Sequence, residues 1–229
     1  MVSKDGAISA AVEDYAKAIY ALAERSDGVV TTNAIAERLS VTPASVSGMV
    51  RKLTSLDLVT HVRYRGVRLT VRGERVALEV LRHHRLLELY LHRTLDVPWD
   101  EVHREAEVLE HVLSEELEDL ISAKLGDPDL DPHGDPIPTR AGGVTAVATQ
   151  GLDTLELGAR GIFVRVSDSD PAMLRYLGEL GIAPGDAFEV LDRQPFGGPV
   201  SVRFGNSVHS LGEPLARAMR AEVRASPSR

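Results

Sequence analysis

Apolar residues recur every three or four positions through the first half of the chain and every second position through much of its last third, which predicts helices followed by strands. Residues 8–25 carry Ile8, Val12, Tyr15, Ile19 and Leu22 on one helical face, with Asp14 and Lys17 beside it, and Ser26-Asp27-Gly28 breaks the pattern. Thr32 is placed to cap a short helix, Asn33 to Leu39. Ser40-Val41 then leads to Thr42-Pro43. A Thr N-cap with Pro at the first helical position starts a helix that continues through Val46, Met49, Val50 and Leu53 to about Leu56. Two β-type runs, Leu58 to Val62 and Val67 to Val71, flank Arg63-Tyr64-Arg65-Gly66 and predict a hairpin with a basic tip. Residues 73–95 form the longest helical pattern, and Asp96-Val97-Pro98-Trp99-Asp100 is a turn. A helix follows through His103 and His111, and Ser114 caps another that runs to Leu125. Gly126 to Pro138 is rich in Pro, Gly and Asp and is expected to be a turn-rich linker, with His133 as a loop residue. From about Gly142 short alternating runs predict strands at 162–166, 187–191, 200–204 and 207–211, with one helix from about Pro171 to Leu180.

Helix, short helix, turn, capped helix and basic hairpin, in that order, predict a winged helix-turn-helix. The exposed side of its second helix, Thr42, Ala44, Ser45, Ser47 and Gly48, is small and polar. A backbone with such side chains can settle deep in a major groove, with Ser and Thr reaching phosphates or base edges. Arg51, Lys52, Arg63, Arg65 and Arg68 would supply charge for the phosphates. The plainer alternative is a winged helix that binds protein. Several short strands with one helix in the last third suggest a small SH3-like barrel. The expected architecture is therefore multi-domain and mainly α: a winged helix-turn-helix at 1–73, a helical domain at 74–143, and a small SH3-like β-barrel at 144–229.

Net charge over the 229 residues is −8, which by itself speaks against nucleic acid, but the distribution reverses that reading. Arg51 to Arg85 holds nine Lys/Arg against three Asp/Glu, whereas Asp96 to Asp135 holds fourteen Asp/Glu against two Lys/Arg. A basic third suits a polyanion, and the acidic third after it suits cations. Cysteine is absent, so disulfides, thiolate catalysis and thiolate metal sites are excluded, and any metal must be held by oxygen and nitrogen. No apolar run reaches membrane-spanning length and the N-terminal residues lack a signal-peptide core, so a cytoplasmic protein without membrane association is expected.

The segment from His103 to His111 carries the candidate chemistry. On a helix turning about 100° per residue, His103, Glu107, Glu110 and His111 fall in one stripe. Val102, Ala106, Val108, Leu109, Val112 and Leu113 surround that stripe, so much of the helix is expected to pack. Imidazoles and carboxylates brought together there would repel or lose their water, and a divalent cation resolves the conflict. A solvated acidic face is the alternative. His84 and Glu88, four apart on the preceding helix, form a second pair of the same kind, or else a plain intrahelical polar pair.

At this point the chain resembles the diphtheria toxin repressor and manganese transport regulator group of metal-dependent repressors. The resemblance is carried by Glu13-Asp14-Tyr15, by Val41 to Ser47, by Arg82-His83-His84-Arg85-Leu86-Leu87-Glu88, by Trp99 to His111, by Asp131-Pro132-His133-Gly134-Asp135-Pro136-Ile137-Pro138 and by the C-terminal strands, and it covers nearly the whole length. It implies a homodimer that binds a double-stranded palindromic operator, represses metal-uptake genes when a divalent metal binds, and has no small-molecule substrate. It further implies a principal metal site at Asp14, Glu107, Glu110 and His111. An ancillary site is implied at His84, Glu88 and His103, with Asp168 or Asp170 as candidate donors from the barrel. Iron-responsive members place Met and Cys where this chain has Asp14 and Glu107, and manganese-responsive members place Asp and Glu. Mn2+ is therefore the expected effector and Fe2+ the alternative, with Co2+, Cd2+ or Zn2+ as surrogates. Carboxylate and imidazole donors give no thiolate advantage to softer rivals. Short-form manganese regulators carry a second Glu one turn after the aspartate, where this chain has Lys17, which argues against a paired-metal site. The competing readings are a metal-independent winged-helix regulator and a metalloenzyme. The second lacks a duplicated Glu-x-x-His signature, a phosphate loop and a nucleophile motif, so an enzyme is not expected.

Overall fold

Side-chain caps set the starts of two of the three N-terminal helices in the computed structural model of the chain, which describes residues 8–24, 26–145 and 147–223. Helix α1 (Ala10–Ala23) buries Val12, Tyr15, Ala16 and Ile19. Helix α2 (Thr32–Arg38) is capped by Thr31 rather than Thr32: the Thr31 hydroxyl oxygen accepts the Ala34 N–H at 3.2 Å. Helix α3 (Pro43–Ser55) starts where Thr42 and Pro43 predict, with Thr42 accepting the Ser45 N–H at 3.2 Å. Strands β1 (Val59–Val62) and β2 (Gly66–Leu69) pair antiparallel, Val59 opposite Leu69 and Val62 opposite Gly66. Gly66 is required here: its φ is +129°, and a Cβ would lie 2.1 Å from the Val30 carbonyl oxygen. Ile19, Ile35, Val46, Leu53, Leu58 and Val67 close one core over these elements, a winged helix-turn-helix.

The chain divides into two compact units. The first holds the described residues up to His84 together with Glu110–Leu113 and Pro138–Gly143. The second holds Arg85–Leu109, Ser114–Ile137 and the chain from Val144. The long helix α4 (Val71–Leu95) supplies residues to both.

In the second unit, α5 (Val102–Leu109) and α6 (Glu115–Leu125) precede a sheet of β3 (Gln150–Gly151), β4 (Arg160–Val166), β5 (Ala187–Arg193), β6 (Val200–Phe204), β7 (Ser207–Leu211) and β8 (Met219–Val223), with α7 (Pro171–Glu179) and α8 (Glu213–Ala218) between strands. Ser114 caps α6 as expected, and Gly126 ends it at φ +79°. The strand order is β3-β8-β4-β5-β6-β7, with all the pairings antiparallel. This corrects the expected barrel: the sheet has the strands of an SH3-like domain but does not close. β3 has only two residues to pair, all of them with β8, and β7 pairs with β6 alone among the described residues. Phe163, Leu174, Leu177, Val202, Leu211 and Met219 fill its core. Strand β8, inside the sheet, escapes sequence reading because α8 runs into it without a turn residue between them.

The Pro- and Gly-rich run after α6 is a packed turn rather than an open linker. Asp131 Oδ1 accepts the N–H groups of His133 and Asp135 at 2.8 and 2.9 Å, and the Val166 N–H donates to the His133 carbonyl at 2.9 Å. Gly134 has φ +86°, and a Cβ there would stand 1.9 Å from the Val164 carbonyl oxygen. Asp131, His133 and Ile137 are buried.

Candidate metal centre

Helix α5 ends at Leu109, so Glu110 and His111 lie in the turn after it and leave the helical register that the stripe assumes. Partners from elsewhere in the first unit hold this turn in place of further helical bonds. The His83 ring donates from Nδ1 to the Glu110 carbonyl at 3.1 Å, His84 Nδ1 holds Glu110 Oε2, and Lys17 Nζ holds Glu110 Oε1. His111 meets α1: its Nδ1 lies 2.6 Å from Glu13 Oε2 and its Nε2 lies 3.0 Å from Asp14 Oδ1 and 3.5 Å from Glu110 Oε1. Asp14, Glu110 and His111 thus offer donor atoms all within 4.8 Å of one another. Burial pushes the Glu110 carboxyl up, yet the hydrogen bond and charge of His84 and the charge of Lys17 outweigh it and hold the group below its ordinary value. Glu110 is 1% exposed and ionised, a combination that only cations make affordable.

In the second unit, Glu88 on α4, His103 on α5 and Asp168 after β4 form another group. His103 Nδ1 stands 3.1 Å from Glu88 Oε1 and 3.4 Å from Asp168 Oδ2, and the donor atoms lie within 4.8 Å. His84 precedes Glu88 by one turn of α4. Glu107 faces back along α5 to His103, Nε2 to Oε1 3.4 Å, with its side chain 55% exposed. Asp170 is used differently, accepting the Ala172 N–H at 2.9 Å as the N-cap of α7.

A further cluster, Glu88, Asp131 and His133, lies wholly buried in the second unit. His133 Nε2 donates to the Trp99 carbonyl at 2.8 Å. Its Nδ1 has no hydrogen-bond partner and sits 3.7 Å from Glu88 Oε2, an ion-pair distance. Burial lowers the His133 pKa, but the charges of Glu88 and Asp131 raise it more, to about 9. Burial and the carboxylates of Asp135 and Glu88 push Asp131 up to about 8. The Pro- and Gly-rich composition places His133 in a loop and gives neither Asp131 nor Glu13 a role as a donor. The available signal was a His and two Asp in a Pro-Gly turn, and a Glu beside Asp14.

On the winged helix, Thr42, Ala44, Ser45 and Ser47 of the α3 start are exposed, Gly48 is half-buried, and Arg51 and Lys52 follow, exposed. At the hairpin tip Arg63 stacks over the exposed Tyr64 ring, 4.8 Å from its centroid, while Arg65 pairs with Asp27 and Arg68 donates to the Asp27 carbonyl at 2.9 Å. Part of the wing's charge is therefore already neutralised within the domain.

A chain that carries a helix-turn-helix and carboxylate–imidazole clusters is matched by comparison with known proteins. Residues 7–67 match the iron dependent repressor N-terminal DNA binding domain, 70–139 the iron dependent repressor metal binding and dimerisation domain, and 151–223 the FeoA domain. The iron-dependent repressor IdeR of Mycobacterium leprae is 32% identical over 224 residues, covering 92% of this chain and 96% of that protein. The chain belongs to the iron-dependent repressor family. Within that family it has the long form, and it is a metal-dependent transcriptional repressor related to both diphtheria toxin repressors and MntR regulators. The HTH-type transcriptional regulator MntR of Geobacillus kaustophilus is 39% identical over 103 residues, 45% of this chain and 72% of that one. A solved manganese-dependent transcriptional repressor complexed with manganese superposes with a TM-score of 0.86 at 42% identity, over 93% of this chain and all of that one. Family members are DNA-binding dimeric repressors, not enzymes. Among the described residues no helix is long and apolar enough to cross a membrane.

Proposed function

We propose that this repressor responds to Mn2+ and controls genes of metal uptake, acting in the cytoplasm as a homodimer on a palindromic operator. The observation that carries the reading is the donor set of Asp14, Glu110 and His111, oxygen and nitrogen only, in a chain without cysteine. These residues fit a divalent ion. Glu13 accepts the His111 Nδ1–H, which leaves Nε2, the nitrogen nearest Asp14, free to ligate. Glu107 remains a proposed fourth donor. A bound ion would order the N-terminal helix α1 against the Glu110–His111 turn and so favour the DNA-competent dimer. The proposed ancillary site uses Glu88, His103 and Asp168, with His84 one turn before Glu88. Asp131 and His133 offer a buried donor set beside Glu88, and Asp170 is set aside by its capping role.

The proposed DNA face is Thr42, Ala44, Ser45, Ser47, Gly48, Arg51 and Lys52 on α3, with Arg63 and Arg65 on the wing. Fe2+ is the second reading, favoured by the identity with IdeR, and intrinsic affinities rank it above Mn2+ for these donors. The test is operator binding by metal-stripped protein, titrated anaerobically with Mn2+ and Fe2+ in parallel, on DNA selected from a random pool with each metal. Activation by Mn2+ that is lost in Asp14→Ala supports the proposal. Activation by Fe2+ alone moves the chain to the iron reading, and equal binding with and without metal rejects both.

A further inference from the structure

We propose that the Lys17 ammonium competes with the metal for Glu110 and so sets the metal concentration at which the site fills. The inference rests on the metal-site reading of Asp14, Glu110 and His111. Asp14 and Lys17 stand three residues apart on α1 and therefore share a face. From that face Lys17 Nζ holds Glu110 Oε1, while His84 holds the other oxygen, Oε2. Oε1 is also the Glu110 oxygen that lies 3.5 Å from His111 Nε2, the nitrogen 3.0 Å from Asp14. A cation shared by Asp14, Glu110 and His111 needs the oxygen on which Lys17 is seated.

The two cations are alternatives there. Glu110 is 1% exposed, so water screens little of the repulsion between an ammonium and a divalent ion on one oxygen. Lys17 is 20% exposed and carries a flexible four-carbon stem, so once displaced its ammonium reaches water. Glu110 thus always has a counter-charge, from the lysine or from the metal. Every metal that binds first breaks a charge-assisted hydrogen bond, which lowers its affinity by on the order of tenfold.

The experiment uses the full chain. Lysines are acetylated with acetic anhydride, and rates are read residue by residue by mass spectrometry in metal-stripped and Mn2+-saturated protein. Mn2+ affinity is measured in parallel by the electron paramagnetic resonance signal of the free ion. Lys17 labelling should be slow without metal and several-fold faster with it. Lys17→Gln should bind Mn2+ roughly tenfold tighter, and Lys17→Arg, which keeps the charge, should bind like the wild type. Mn2+ binding with Lys17 labelling unchanged or slowed, or Lys17→Gln binding no tighter than wild type, overturns the competition and leaves the metal site standing. Failure of Mn2+, Fe2+ and Co2+ alike to bind removes both readings.

Discussion

Replacing Glu110 with Gln keeps the shape of the side chain and removes its charge, which makes it the sharpest probe of how the first unit holds together. The carboxylate is 1% exposed and serves two cationic partners, Lys17 at 20% and His84 at 6% exposure. Cutting a buried ion pair costs about 3–5 kcal/mol when the surviving partner stays buried and charged. Here the cost is smaller, because Lys17 can turn to water, so the loss is about 2–3 kcal/mol of charge-assisted hydrogen bonding. Calorimetry of metal-stripped protein should show the transition of Glu110→Gln falling by about 5–10 °C at pH 7. The sign with pH is defined. The folded-state pKa of Glu110 lies below its ordinary 4.5, so its contribution is fully present above pH 4.5 and is lost as pH falls through the folded value. The gap between wild type and variant should therefore narrow on acidification below pH 4.5. A gap under about 0.5 kcal/mol at pH 7, or one that persists unchanged in acid, would refute the assignment of Glu110 as a buried, charge-paired carboxylate.

Three further outcomes are expected. The His133 pKa, raised from 6.5 to about 9, represents about 3 kcal/mol of stability that is present below pH 6.5 and lost as pH rises through about 9. Urea unfolding of metal-stripped protein should show that loss between pH 6 and 9, on top of the loss up to about pH 8 that the raised Asp131 carboxyl causes, and His133→Phe should remove the part that lies above pH 8. Gly134→Ala should destabilise the chain by more than about 2 kcal/mol, since a Cβ at φ +86° meets a backbone oxygen at 1.9 Å; a wild-type denaturation midpoint would contradict the packed turn. Lys52→Ala should weaken operator binding uniformly across sequences and reduce the salt slope by about one, and a sequence-dependent loss would assign Lys52 to base readout instead.

The fold was most legible where one residue does a local job. Thr42 and Pro43 start α3, Ser114 starts α6, and the alternation of 200–204 and 207–211 makes β6 and β7, all from forces acting within a few residues. The one-residue shift of the α2 cap to Thr31 is a choice between two adjacent threonines that local chemistry leaves nearly equal. Strand β8 was hidden because α8 runs straight into it with no turn residue to mark its start. Closure of the sheet was misjudged because it depends on whether two edge strands meet, and β3 proved too short to extend an edge.

The same division runs through the metal chemistry. The sequence alone determined which atoms are available: no thiolate, and a dense supply of carboxylates and imidazoles from Asp14 through His111, because donor type is a property of the residue itself. It also determined the winged helix and its basic wing, through caps and periodicity. Only the tertiary structure decided how those donors combine. It ended α5 at Leu109 and turned Glu110 and His111 out of the predicted stripe. It set Glu13 behind His111, buried His133 beside Glu88, and seated Lys17 on a carboxylate 93 positions away. Pairings of that kind depend on which oxygen is left without water when the core closes, and that is a property of the packed chain rather than of any segment of it.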